Sequence, residues 1–167
     1  MTEALDSVAQ QVGSPADLLA AHGVDFTVHT HEQIRTADDI RERTDLDIEH
    51  SVKTMAFSIA PDRLVLAGIP GPARIKYGRL AAALGVPRKQ LRPAGQEALT
   101  ALGMAPGGVS PVCRAETVTV VLDSAVPDMG LVYCGSGRPD QSLRLEAADL
   151  VRIAGNVVVA DVAEPAG

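Results

Sequence analysis

Aromatic side chains are scarce in this chain of 167 residues: they make up 2% of it, and tryptophan is absent. The core must therefore be built from aliphatic side chains, which a hydrophobic content of 46% can supply. The same scarcity argues against the class of nucleic-acid modules that stack successive bases on rows of aromatic rings.

Long apolar runs and secretion signals are also missing. No stretch reaches the 18 apolar residues that a membrane helix needs, and the start, MTEALDSVAQQV, has no basic region before an apolar run. These features predict a cytoplasmic protein with no membrane partner. The chain has two cysteines, Cys113 and Cys134, which we expect to be reduced core residues because nothing else suggests secretion.

The common catalytic motifs are absent too. The glycines of GPARIKYG, residues 71–78, have the wrong spacing for a phosphate-binding loop. Ser110 is not in a nucleophile elbow, because Pro111 directly behind it disfavours a helical start. His29 and His31 share one face of a predicted strand, but no third zinc ligand is evident, so surface histidines are the favoured interpretation. We expect no metal and no cofactor.

Charge is unevenly distributed along the chain. The formal net charge is −6, yet residues 63–96 contain no Asp or Glu. Such a segment can attract a polyanion to one face of an acidic protein, or it can be an ordinary solvated surface. The candidate binding residues are Arg74, Lys76, Arg79, Arg88, Lys89 and Arg92.

Hydrophobic periodicity and capping signals predict a mixed α/β fold of about seven strands, with hairpins as well as helical crossovers. We expect a single domain over residues 1–167 with its core at about 14–163. The predicted helices cover 15–22, 36–44, 75–84, 96–102 and 147–154, with a helical turn at 86–91. The predicted strands cover 24–30, 52–60, 63–69, 116–123, 130–134, 142–145 and 156–162.

Two local features are unusual. Lys53 interrupts the largely apolar strand VKTMAF, where a buried ammonium is costly unless an anion meets it. It lies either on a solvated strand face or beside an anionic ligand. The loop GMAPGGVSPV, residues 103–112, combines glycines that leave the backbone accessible with prolines that stiffen it. It is either a structural connection or a display of backbone groups for a ligand.

Three segments, SVKTM at 51–55, PGGVSP at 106–111 and GSGRPDQSLRL at 135–145, together resemble the YbaK/ProX family of aminoacyl-tRNA deacylases. That family is related to the editing domain of bacterial prolyl-tRNA synthetases, and the similarity extends over about residues 14–163. The resemblance implies a mixed α+β domain with a curved, barrel-like sheet flanked by helices. It also implies hydrolysis in trans of a small amino acid, such as alanine or cysteine, from mischarged tRNA, with tRNA-Pro as the expected carrier.

The same resemblance implies roles for individual residues. Lys53 would hold the tRNA 3′ end or the ester, the carbonyl of Gly107 would orient a water molecule, and the amides from Gly108 to Ser110 would face the oxyanion. Ser142 stands where the synthetase-embedded relatives usually have a histidine. The expected substrate-binding residues are Val109, Ser110, Pro111, Gly135 and Ser142. The basic residues from Arg74 to Arg92 are expected to face the tRNA, and an aminoacyl-tRNA synthetase is a possible further partner.

Two alternatives remain open on the sequence. The chain could be a tRNA- or nucleotide-binding module without catalysis, or a hydrolase of small-molecule esters or thioesters. Lys53 together with the complete GGVSP loop favours an enzyme, because an activated ester needs only a positioned water and oxyanion donors. The cationic segment favours tRNA over a small free substrate.

Overall fold

The computed structural model describes residues 13–33, 47–59 and 62–165 of the chain. These residues form an eight-stranded mixed sheet, a separate two-stranded sheet and four flanking α-helices. The helices are α1 (Pro15–Ala21), α2 (Tyr77–Leu84), α3 (Gln96–Ala101) and α4 (Ala147–Ile153). The strands are β1 (Phe26–Thr30), β2 (Ser51–Ile59), β3 (Arg63–Pro70), β4 (Arg74–Ile75), β5 (Leu91–Pro93), β6 (Val118–Asp123), β7 (Leu131–Gly135), β8 (Gln141–Glu146), β9 (Val157–Ala160) and β10 (Ala163–Glu164). The predicted mixed fold is confirmed.

The helix ends follow the capping signals of the sequence. Before α1, the Asp17 amide donates a hydrogen bond of 3.1 Å to the hydroxyl of Ser14. Gly85 ends α2 in the left-handed conformation, with φ of 70°, and Gly103 follows α3 with φ of 73°. These glycines therefore end both helices in a conformation that other residues rarely adopt.

The large sheet has the order β1-β8-β7-β2-β3-β6-β9. β2 and β3 form the predicted antiparallel hairpin, whereas β3 with β6, β6 with β9, and β2 with β7 pair in parallel. One edge of β2 is shared, because β7 pairs with its start and β5 with its end. The end of β7 therefore separates from β2 near Val52, and a loop can approach the sheet there.

Two hydrophobic clusters cover the two faces of this sheet. The first contains Val52 and Cys134 together with side chains of α1 and α4, and the second contains Phe57 of the same strand β2 together with Leu80 of α2. Cys113 and Cys134 are free, buried thiols in the first cluster, as expected for core residues. Burial raises the pKa of Cys134 to about 12, so its thiol stays protonated.

The structure also departs from the sequence expectations in places. The short strands β4, β5 and β10 and the 3-10 turn Val126–Asp128 were not predicted, because two or three residues carry no recognisable periodicity. The strand expected to run through residue 162 ends at Ala160. The helix predicted at 36–44 lies outside the described residues. None of the described helices has the length and apolar character needed to cross a membrane.

Candidate functional site

Three of the predicted site residues share one face of the sheet. Val52 of β2 pairs with Cys134 of β7, and both side chains enter the first hydrophobic cluster. Because side chains alternate along a strand, Lys53 and Gly135 face the opposite side. Gly135 in turn pairs with Ser142 of β8. Lys53, Gly135 and Ser142 thus form a row on one face of three neighbouring strands. Gly135 and Ser142 are paired, whereas β2 and β7 are no longer paired at Lys53.

Two residues of the loop at 107–111, Gly108 and Val109, lie against the middle of this row. A Cβ atom added to Gly135 would be only 2.7 Å from the carbonyl carbon of Val109 and 2.9 Å from the carbonyl oxygen of Gly108. The loop is also tied to the segment after β7, because the Gly137 amide donates to the Gly108 carbonyl at 2.6 Å and the Ala105 amide donates to the Gly137 carbonyl at 2.9 Å. Glycine at 135 is therefore what allows the loop to contact the sheet.

Ser110 has a structural position within this loop. Ser110 is fully buried, and its hydroxyl accepts a hydrogen bond from the Val112 amide at 3.2 Å. Its own amide is directed at the sulfur of Met104, 3.4 Å away. Pro111 behind it is buried as well. The side chains of both residues are thus enclosed by the protein, although the sequence placed them among the substrate-binding residues.

Some backbone groups of the loop are not used by the fold. The Gly108 amide donates to the Ala105 carbonyl at 2.9 Å, so it is already hydrogen-bonded. Within the described residues, neither the amide nor the carbonyl of Val109 has a hydrogen-bond partner, and the carbonyl of Gly107 has none either. Gly107 is exposed and has a φ of 85°. Gly107 and Val109 therefore each have an amide and a carbonyl to which no described residue is hydrogen-bonded.

Lys53 is a half-buried cation that has no counterion among the described residues. No described residue forms a hydrogen bond or an ion pair with its ammonium group. Burial lowers the pKa of Lys53 below its usual value, and the positive charge of Arg74 lowers it further. A lysine on a fully solvated strand face would not be subject to this desolvation. The surroundings of Lys53 instead suit an anionic or strongly polar ligand.

Ser142 is hydrogen-bonded to His31, a histidine that was not predicted from the sequence to be part of the site. The hydroxyl of Ser142 lies 2.8 Å from Nε2 of His31, and Nδ1 of His31 lies 2.7 Å from the carbonyl oxygen of Glu32. Ser142 is 5% exposed and His31 is half-buried, so His31 is not the free surface histidine that we expected. The alternation of His29 and His31 was the one available signal, and it pointed to this face of the sheet. In the described part of the chain, no three His, Cys, Asp or Glu side chains group as metal ligands.

All six candidate tRNA-binding residues are exposed. Two of them are paired with acids from the C-terminal part of the chain, Lys76 with Glu164 at 3.2 Å and Arg79 with Asp161 at 3.3 Å. Arg88 lies over the ring of Tyr77, with its guanidinium carbon 5.6 Å from the ring centre. The charge of Arg74 reaches Lys53, so the basic surface adjoins the row of site residues.

Several solved structures share the fold of this chain. The hypothetical protein APE2540 is 26% identical, with a TM-score of 0.75 over 89% of this chain and 98% of its own. A proposed trans-editing enzyme for prolyl-tRNA synthetase is 25% identical, with a TM-score of 0.72 over 95% of this chain and 97% of its own. A proposed signal transduction protein from Marinobacter aquaeolei shares the fold at 14% identity, with a TM-score of 0.65 over 89% of this chain and 30% of its own. The fold alone therefore does not define the function.

The sequence itself matches the family model of the aminoacyl-tRNA editing domain over residues 31–153. This range contains Lys53, the loop at 107–111 and Ser142, and it begins at His31. It covers most of the 167 residues. The chain therefore belongs to the aminoacyl-tRNA editing domain family.

Proposed function

We propose that this protein is a trans-editing hydrolase, which removes a small, wrongly attached amino acid from tRNA. The observation that carries the proposal is the row of Lys53, Gly135 and Ser142 beneath the loop at residues 107–111, within the region that matches the editing family. Lys53 brings a positive charge that no described residue pairs, and the loop brings backbone groups to which no described residue is hydrogen-bonded. This set of groups suits an ester that is already activated, which needs positioning more than it needs a nucleophile.

The reaction follows from these groups. The ester lies across the row with its carbonyl near the Val109 amide, which donates a hydrogen bond to the oxygen as it becomes negative. The free carbonyl of Gly107 accepts a hydrogen bond from the attacking water and orients it toward the ester carbon. Lys53, near Arg74, holds the phosphate and ribose of the terminal nucleotide. Bond formation by water and departure of the ribose oxygen then release the amino acid, and a proton passes to the ribose.

The limited selectivity of a synthetase pocket explains which substrates we expect for a separate editing site. A synthetase pocket shaped for proline cannot strongly reject an amino acid of equal or smaller size, because a missing methylene group is worth only about 1 to 3 kcal/mol. Alanine and cysteine attached to tRNA-Pro are therefore the substrates that we propose. The protein would meet them in the cytoplasm, either as free tRNA or on a synthetase.

A deacylation panel tests the proposal. The purified protein is incubated with tRNA-Pro charged with alanine, cysteine, serine, threonine or proline, and the loss of each ester is followed against protein-free buffer. We expect faster loss of at least one small aminoacyl ester, and no acceleration for the correct prolyl ester. If no ester is lost faster than in buffer, the protein is not a deacylase of these tRNAs, and the proposed function is wrong.

A further inference from the structure

The hydrogen bonds around His31 determine what Ser142 can offer to a ligand. Nδ1 of His31 lies 2.7 Å from a backbone carbonyl, which can only accept, so Nδ1 carries the proton of the neutral ring. Nε2 then has a free lone pair and accepts the hydroxyl proton of Ser142 at 2.8 Å. The single proton of Ser142 is thereby committed to His31. Toward any other group, the Ser142 oxygen can act only as an acceptor.

His31 is held in this position by the end of the strand pair. Its amide donates to the carbonyl of Asp140 at 2.9 Å, which continues the pairing of β1 with β8 by one residue. The neighbouring His29 makes different contacts, because its Nε2 lies 2.8 Å from Thr27 and its ring meets the ring of Tyr133. The two histidines share a face of the sheet, but the contact with Ser142 is made by His31.

A second unpaired acceptor lies beside Ser142. The carbonyl of Val109 lies over Gly135, the direct cross-strand partner of Ser142, and no described residue donates to it. Since directly opposed side chains are on the order of 5 Å apart, one small group can contact both oxygens. Two acceptors without a local donor favour a ligand group that only donates, and an ammonium group has this property.

We propose that Ser142 and the Val109 carbonyl bind the α-ammonium group of the aminoacyl ester, with His31 as the positioning residue that keeps Ser142 an acceptor. This inference rests on the proposed function, because it takes an aminoacyl ester as the substrate. Lys53 and Arg74 lie toward the other end of the row, where their charges repel an ammonium group and attract phosphate. The substrate thus has one orientation across the sheet, with the amino group at β8 and the nucleotide at β2.

The experiment compares two esters that differ only in the amino group. Alanyl-tRNA and lactyl-tRNA, in which a hydroxyl replaces the ammonium, are given to the wild type and to Ser142→Ala and His31→Ala. Each rate is divided by that of spontaneous hydrolysis. We expect the wild type to prefer the alanyl ester, and both variants to lose about tenfold of that preference, because hydrogen bonds from a charged donor are stronger than neutral ones. His29→Ala serves as the matched control and should keep the wild-type preference.

The outcomes separate this inference from the proposed function. If the wild type hydrolyses no small aminoacyl ester of the deacylation panel, both fail together. If it hydrolyses another small ester but not the alanyl one, the pair is made from that amino acid and its hydroxy acid. If the wild type is active but Ser142→Ala slows both esters equally, the proposed function stands and ammonium binding is wrong. A loss of more than about a thousandfold on both esters would instead identify Ser142 as a nucleophile activated by His31, which also overturns the inference. A selective loss with the alanyl ester supports it, and His31→Ala repeats the test independently of the Ser142 substitution.

Discussion

Lys53 is the residue at which the needs of the fold and of the proposed site differ most clearly. Burial lowers the pKa of its ammonium group, which means that the folded protein disfavours the charged form relative to the unfolded chain. At a pH below this lowered pKa, the charge therefore costs folding stability, and the cost disappears as the pH rises toward the unfolded value. A fold has no reason to retain such a cation, whereas a site for an anionic ligand does.

Replacement of Lys53 by methionine should therefore slow catalysis without weakening the fold. We expect Lys53→Met to reduce kcat/KM for the best aminoacyl-tRNA at least about tenfold, or about 1.4 kcal/mol of activation free energy. The melting temperature at neutral pH should stay the same or rise, because the desolvated charge is gone. Steady-state kinetics and thermal unfolding followed by circular dichroism measure the two effects.

Arg152→Met is the matched control for Lys53→Met. Arg152 is an exposed cation on α4 that is paired with Asp149, far along the chain from the proposed site. Exposed pairs of this kind contribute little to stability, so both its rate and its melting temperature should change little. An unchanged rate in Lys53→Met would exclude Lys53 from the site.

Single site residues could be predicted from the sequence where they differ in chemical type from their neighbours along the chain. Lys53 was recognisable because an ammonium group interrupts an apolar strand, and the glycines of the loop because they stand between prolines. The contact of His31 with Ser142 could not be predicted in this way, because 111 positions separate the two residues. Only the pairing of β1 with β8 brings them together, and no local pattern encodes that pairing.

At the scale of helices and strands, the elements with the strongest capping and periodicity signals were predicted best. Within the described residues, helices with a capping residue or a terminal glycine, and strands of four or more residues, were placed correctly to within a few residues. The short strands β4 and β10 form a pair only because residues 74–75 and 163–164 meet in the folded chain. Their hydrogen bonds depend on tertiary contact, which composition and periodicity do not contain.

The contact between the loop and β7 gives a prediction at this scale. A methyl group at position 135 would meet the backbone of Val109 and Gly108, which cannot move away as a flexible side chain could. Gly135→Ala should therefore displace the loop, lower kcat/KM at least about tenfold and cost about 1 to 3 kcal/mol of folding free energy. Kinetics and urea unfolding at one pH measure both quantities.

Gly78→Ala provides the comparison for Gly135→Ala. Gly78 lies in α2, and a methyl group there would have no heavy atom within 4 Å other than its chain neighbours and the backbone of its own helix. Its activity should equal that of the wild type, and its stability should rise by up to about 1 kcal/mol, because alanine favours a helix over glycine. If Gly135→Ala is as active as Gly78→Ala, the position of the loop over β7 is not required for catalysis.

At the scale of the whole molecule, charge separation reconciles an acidic protein with a polyanionic substrate. The net charge is −6, but the exposed basic residues of the 74–92 segment adjoin the site through Arg74. Folding changes the charge of this surface in a way that the sequence did not reveal. Asp161 and Glu164, from the C-terminal part of the chain, form ion pairs with two of the basic residues, Arg79 and Lys76. Arg74, Arg88, Lys89 and Arg92 have no ion pair with the described residues.

The difference between paired and unpaired basic residues predicts which of them contact the body of the tRNA. Because phosphate contacts release counterions, Lys89→Ala and Arg92→Ala should each raise KM and reduce the slope of log kcat/KM against log salt concentration by about one. Lys76→Ala should have a smaller effect, since Glu164 already neutralises part of its charge. An aminoacylated CCA trinucleotide is the control substrate, and these variants should hydrolyse it at the wild-type rate because it lacks the stem phosphates. If the wild-type activity on full-length tRNA does not depend on salt, this segment is a solvated surface, and the tRNA is held at the site alone.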